Sequence, residues 1–172
     1  QVTTCSGKDT CNLGVSNSVT LGEILANVIK DEFYHLIFDS EIKIKISGCM
    51  NSCGQHMAAN IGLHGSSIKV GERVAPAMQV ILGGGVDING VGSIGDKIVK
   101  IPTKRTPEML RLILNDFESN TEDGEYFNDY YKRQGKNYFY ALLKPLANVA
   151  LYVDDDFIDY GGEENYTPEI GV

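Results

Sequence analysis

Apolar residues at Ile24, Leu25, Val28 and Ile29 recur at the spacing of one helix face and predict a helix over residues 20–34. Thr20 and Glu23 form a capping-box pattern, so the helix is expected to open at Thr20. The period then changes. Ile42, Ile44 and Ile46 alternate with Lys43 and Lys45, which predicts a half-buried strand over residues 41–47 with a solvated lysine face. Residues 53–59 read as a short helix opening at Cys53, whose positive end would favour a thiolate. Further strands are predicted over residues 61–64, 67–70, 78–82 and 97–101, separated by glycine-rich turns. Thr106 followed by Pro107 reads as an amino cap and a proline in the first helical turn, starting a helix to residue 118 with Met109, Leu110, Ile113 and Phe117 inward. Residues 125–134, bracketed by Gly124 and Gly135, and residues 136–143 are helical candidates. The fold class is therefore α+β, a small mixed and roughly five-stranded sheet with helices packed on it.

Composition narrows the setting. With 172 residues, 42% of them hydrophobic, the chain can bury one core with an appended tail. A net charge of −8 argues against nucleic acid as a partner, and no apolar run approaches the ~20 residues that span a bilayer. No targeting segment is apparent, which favours the cytoplasm. The acidic excess gathers late, in Asp154, Asp155, Asp156, Glu163 and Glu164, so residues 149–172 read as an acidic carboxy-terminal extension, extended or weakly ordered, on a domain of residues 1–148. The aromatic set Tyr126, Phe127, Tyr130, Tyr131, Tyr138, Phe139 and Tyr140 reads as core or interdomain packing.

The chemistry concentrates in four cysteines, Cys5, Cys11, Cys49 and Cys53, the only ones in the chain. They form two pairs flanked by glycine and small polar residues, which marks ligands rather than core packing. The two pairs can meet only if the 37 residues between them fold back. Four readings stand side by side: disulfides, a structural zinc site, inert buried thiols, and an iron-sulfur cluster, for which four soft thiolates are the required donor set. Other motifs carry less. Gly90, Gly92 and Gly95 match a dinucleotide fingerprint, but a strand follows them where a helix is needed. The Gly83-Gly84-Gly85 run is either a plain loop or a place where backbone approaches a flat macrocycle. Lys8 is either a surface lysine or a neighbour of the thiols. His56 reads as a partly exposed helix residue or a hydrogen-bond donor to a cofactor, and His35 and His64 have no partners legible in the sequence.

Cys-x5-Cys followed by Cys-x3-Cys, with Ser47-Gly48-Cys49-Met50-Asn51-Ser52-Cys53-Gly54 around the second pair, resembles the signature of the sulfite/nitrite reductase family. Thr10-Cys11-Asn12-Leu13-Gly14, Ile44-Lys45-Ile46-Ser47-Gly48, Cys53-Gly54-Gln55-His56 and Gly124-Glu125-Tyr126-Phe127 extend the likeness over roughly residues 1–145. The resemblance implies a [4Fe-4S] cluster held by Cys5, Cys11, Cys49 and Cys53, and a siroheme contacted by Cys53 and Asn51. Cys53 would bridge the two centres and so take the catalytic role. It further implies six-electron reduction of sulfite to sulfide or nitrite to ammonia, with a ferredoxin or a flavoprotein as electron donor. Met50 stands where the family usually has proline. The upstream half that grips the substrate anion in the family is absent, so the chain is expected to be the carboxy-terminal piece of a longer polypeptide and inactive alone. The alternative is an iron-sulfur or zinc-binding module for electron transfer or structure, without siroheme.

Overall fold

The computed structural model describes residues 1–8, 10–36 and 41–168. Its spine is a five-stranded mixed sheet in the order β1-β2-β3-β4-β7, formed by β1 (Val2–Thr4), β2 (Ile44–Ser47), β3 (Ile61–Val70), β4 (Arg73–Leu82) and β7 (Asp96–Pro102). The first three strands run parallel, and β4 is antiparallel to both its neighbours. A two-stranded hairpin, β5 (Gly85–Val86) with β6 (Gly92–Ser93), projects between β4 and β7. The α-helices among the described residues are α1 (Ser18–Glu32), α2 (Thr106–Asn120), α3 (Phe127–Gln134) and α4 (Lys136–Leu143). Among the described residues no helix is long and apolar enough to cross a membrane.

One core joins these layers. Leu21, Leu25 and Val28 of α1 and Met109, Leu110, Ile113 and Phe117 of α2 are buried with Ile44, Ile46, Leu63 and Ile101 of the sheet. Lys43 is exposed between buried Ile42 and Ile44, as the period-two pattern requires, although the strand itself begins at Ile44 and leaves residues 41–43 outside it. The aromatic set divides by depth. Tyr130 and Phe139 meet edge-on at 5.5 Å between ring centres, while Tyr126 and Tyr140 lie at the surface.

Four expectations are corrected. Helix α1 opens at Ser18, because Asn17 supplies the cap: its side chain accepts the Thr20 N–H at 3.1 Å, leaving Thr20 inside the first turn. The strands expected over 61–64 and 67–70 are one strand, since β4 pairs along its whole length from Ile61↔Leu82 to Val70↔Arg73. Pro76 is tolerated in β4 because β7 pairing ends at Ala77, so its missing N–H leaves no second ladder broken. In place of a helix over 53–59 there is a three-residue 3-10 turn, His56–Ala58, since Gln55 within that span adopts a positive φ of 57° that an α-helix cannot contain. The dinucleotide-like glycines sit in and just after the β5–β6 hairpin, and β7 follows at Asp96 without a helix.

The tail is the fourth correction. Rather than extending into water it forms a 3-10 turn, Asp154–Phe157, and buries Asp156, Phe157 and Asp159. Its three consecutive acids each meet a base: Arg73 to Asp154 at 3.0 Å, Lys104 to Asp155 at 3.2 Å and Arg105 to Asp156 at 2.8 Å. Arg105 also donates to the carbonyls of Leu146 and Leu151, and its guanidinium lies 4.9 Å from the centre of the Tyr152 ring. The expected residues 169–172 of the tail lie outside the described residues. The Asp154 and Asp155 pairs are solvent-facing and contribute little, whereas the Arg105–Asp156 pair is largely shielded from water, so removing one partner strands the other charge. Arg105→Ala is expected to cost about 3 kcal/mol or more of folding stability. Asp154→Ala should stay within about 0.5 kcal/mol of the parent. Denaturant unfolding of the two variants checks both figures, and equal costs would remove Arg105 as the anchor.

Candidate cofactor site

Parallel pairing of β1 with β2 decides where the cysteines go. Register Thr4↔Ile46 carries both strands to the same edge of the sheet, so Cys5 and the Gly48–Cys49 turn emerge side by side. The Cys5 N–H donates to the Ile46 carbonyl at 3.0 Å, and the Gly48 N–H donates to Cys5 Sγ at 3.0 Å. The chain returning from Cys11 closes the arrangement. Val15 and Ser16 N–H groups donate to the Gly48 carbonyl at 3.0 and 3.1 Å. Gly65 of β3 lies directly beneath: a Cβ there would come within 2.1 Å of the Gly48 oxygen, so only glycine lets the turn settle on the strand.

The thiols differ in setting. Cys5 is half-buried, with Ser18 Oγ 3.3 Å from its sulfur. Burial pushes the Cys5 thiol up, but hydrogen bonds from Ser18 and from the Gly48 and Gly7 backbone outweigh it and hold the group below an ordinary cysteine. Cys11 is half-buried in a turn in which its N–H donates to Gly7 O at 3.0 Å and its carbonyl accepts from Gly14 N–H at 3.0 Å. Cys49 is buried and Cys53 exposed, and the residues between them include exposed Met50 and Asn51. All four thiols are free. The fold therefore brings the two cysteine loops together through Cys5 and Gly48, while among the described residues no three Cys, His, Asp or Glu side chains close on one point.

A polar brace behind the second loop is the part sequence reasoning missed. Ser47 Oγ accepts the Gly54 N–H at 3.0 Å and shares a hydrogen bond with His56 Nδ1 at 2.9 Å. Ser47 thus ties the start of the Cys49–Cys53 turn to its end. His56, expected to be partly exposed, is 2% exposed and packs 4.9 Å from the ring of His64, the β3 residue paired with Ser47. Burial, then the neighbouring His64 and Lys97, lower His56 to about 4. Burial likewise lowers His64, whose Nδ1–H donates to the Gly65 carbonyl. The Gly83-Gly84-Gly85 run packs on the same turn, since a Cβ on Gly84 would meet the Met57 carbonyl at 2.2 Å. Lys45 is held by Gln55 at 2.9 Å, and the Lys8 ammonium lies 5.9 Å from the ring of Tyr166.

A five-stranded mixed sheet with two cysteine loops abutting at one edge is the class of domain the chain forms, and the sequence places that domain in a family. Residues 1–148 match the family described as "Nitrite and sulphite reductase 4Fe-4S domain", and the chain belongs to that family. Among its relatives, the ferredoxin--nitrite reductase of Synechococcus elongatus is 27% identical over 111 residues, 64% of this chain and 21% of that protein. The sulfite reductase [NADPH] hemoprotein beta-component of Baumannia cicadellinicola is 28% identical over 153 residues, 86% of this chain and 24% of that protein. The chain thus spans under a quarter of the length of these relatives. In fold it is similar to the NirA protein of Mycobacterium tuberculosis, with a TM-score of 0.66 at 23% identity over 80% of this chain and 26% of that one. Dissimilatory sulfite reductase I superposes with a TM-score of 0.65 at 10% identity, covering 98% of this chain and 59% of the other.

The histidine brace has a pH signature. An unfolded His56 titrates near the ordinary 6.5 and the folded one at about 4, so between those values the unfolded chain holds the extra proton. The stability owed to a neutral buried His56 is fully present above pH 6.5, falls as pH drops toward 4, and levels off below. The denaturant midpoint is expected to drop between about pH 7.5 and about pH 5.5, and to drop less in His56→Gln. Equal slopes for parent and variant would show that His56 is not the group responsible.

Proposed function

We propose that this chain carries the redox centre of a siroheme-dependent sulfite or nitrite reductase, with Cys5, Cys11, Cys49 and Cys53 as ligands of a [4Fe-4S] cluster and Cys53 shared with the siroheme iron. The observation that carries the reading is the join between the two cysteine loops, Gly48 N–H on Cys5 Sγ with Val15 and Ser16 on the Gly48 carbonyl, in a chain of this family. The donor set fits: four free thiols, soft and anionic when deprotonated, on two abutting loops. When bound, the paired cofactors supply the one-electron steps that take sulfite to sulfide or nitrite to ammonia.

The residues of the chain hold and tune. The Gly48 N–H and the Ser18 hydroxyl favour the Cys5 thiolate, and hydrogen bonds to ligating sulfur are a known lever on cluster potential. Exposed Cys53, beside Ser52 in a left-handed conformation, is open toward a second centre, and exposed Asn51 in the same turn is assigned a siroheme contact. The relatives named for ferredoxin and for NADPH support a ferredoxin or a flavoprotein as electron donor. Because the chain spans under a quarter of those relatives, an amino-terminal half supplying the anion grip is part of the proposal, and the chain alone is expected to lack reductase activity. Four free thiols suit a reducing compartment, in keeping with a cytoplasmic setting.

Anaerobic reconstitution with iron, sulfide and siroheme tests the reading through visible and electron paramagnetic resonance spectra. Coupled siroheme and cluster signals are expected. A cluster alone, or zinc in its place, would convert the assignment to an electron-transfer or structural metal module. Cys53→Ser should uncouple siroheme from the cluster more than Cys5→Ser does, and equal effects would remove Cys53 from the bridging role.

A further inference from the structure

Residues 149–168 lie beyond the segment that matches the family, yet they end against the first cysteine loop. Asp159 is 7% exposed; its Oδ2 accepts the backbone N–H of Asn17 at 3.2 Å and its Oδ1 that of Tyr160 at 2.9 Å. Asn17 is the cap of α1, and the next residue, Ser18, is the one whose hydroxyl stands against Cys5 Sγ. Two residues before Asn17, the Val15 carbonyl accepts the Tyr166 hydroxyl at 3.1 Å. Tyr166 is itself fastened, since its backbone N–H donates to the Phe157 carbonyl at 2.7 Å, and Phe157 closes the turn that Arg105 anchors through Asp156.

The segment of residues 15–17 is thus held from two sides. Its N–H groups at Val15 and Ser16 reach inward to the Gly48 carbonyl, and its Val15 carbonyl and Asn17 N–H reach outward to the tail. An acidic tail that merely covered charge would need only the Arg73, Lys104 and Arg105 pairs. Asp159 and Tyr166 reach past those bases and spend their polar atoms on the backbone of the cysteine loop.

We infer that Asp159 and Tyr166 are positioning residues for the first cysteine loop: the carboxy-terminal segment straps residues 15–17 against the Gly48 turn and so sets Cys5 and Cys11 for a metal centre. The inference rests on the reading of those cysteines as cluster ligands, but its test reads the loop without any cluster. In the full chain, the double variant Asp159→Ala, Tyr166→Phe is followed by hydrogen exchange and by site-resolved alkylation of the thiols. Losing a charged acceptor and a hydroxyl donor on a loop is expected to speed exchange at Val15, Ser16 and Asn17 by about tenfold. Alkylation of Cys5 and Cys11 should rise in step, while Cys49, Cys53 and the amides of β3 and β4 keep their parent rates. Unchanged rates in residues 15–17 and at Cys5 and Cys11, with β3 and β4 still protected, would overturn the strap. Should the double variant lose protection in β3 and β4, Tyr166→Phe alone decides by the same two readouts, since it deletes one hydroxyl and nothing else. A failed cluster reading would show instead as absent iron uptake in the parent chain, with the exchange result untouched.

Discussion

The Gly48 N–H on Cys5 Sγ is the contact on which the site depends, and it exists only because β1 and β2 run parallel. Had the first strand paired antiparallel, Cys5 and Cys49 would leave the sheet at opposite edges. Parallel neighbours need a long crossover, and α1 supplies it, burying Leu21, Leu25 and Val28 in the core on the way. The helix earns a second role at its start, where Ser18 and the Asn17 cap stand between the Cys5 thiol and the tail. A single topological choice therefore places two cysteine loops, one helix start and one tail at the same corner of the molecule.

Behind that corner the support is mostly backbone and hydroxyl rather than charge. Ser47 accepts from Gly54 and is hydrogen-bonded to His56, and the registered pair Ser47↔His64 brings the second imidazole into contact with the first. Both rings are kept neutral by burial, so the brace adds polarity without placing cations beside the thiols of the turn. A cationic brace would draw the thiolates toward itself. A neutral one leaves them to whatever the loops bind.

Local periodicity made much of this legible from sequence. Met109, Leu110, Ile113 and Phe117 follow a helical stripe, and Ile42, Ile44 and Ile46 a strand stripe, and each is buried as its period requires. The misreadings share a cause, which is that the deciding partner lies far along the chain. Gly65 and Ser66 look like a turn until β4 pairs through them, and Asp154, Asp155 and Asp156 look solvated until Arg73, Lys104 and Arg105 arrive from β4 and the turn before α2. The four cysteines were visible as a set, whereas the Ser47–His56–His64 brace was not, since it follows from strand register rather than from any motif. The short helix over residues 53–59 failed for a local reason, a left-handed Gln55 that no glycine announces.

The disposition of positive charge bears on how an anionic substrate would be met. All four arginines are engaged with carboxylates: Arg73 with Asp154, Arg105 with Asp156, Arg111 with Glu32 and Arg133 with Glu125. Arginine is the side chain whose planar fork matches an oxyanion bidentately, and here each fork already faces a carboxylate, the Arg105 one holding the tail. Releasing Arg105 to bind a substrate would strand the buried carboxylate of Asp156 and loosen the segment that reaches Asn17 and Val15. On the proposed reading, bidentate anion contacts would come from another surface, and this chain would hold the redox centre. That division of labour agrees with a chain spanning under a quarter of the length of reductases to which it is similar.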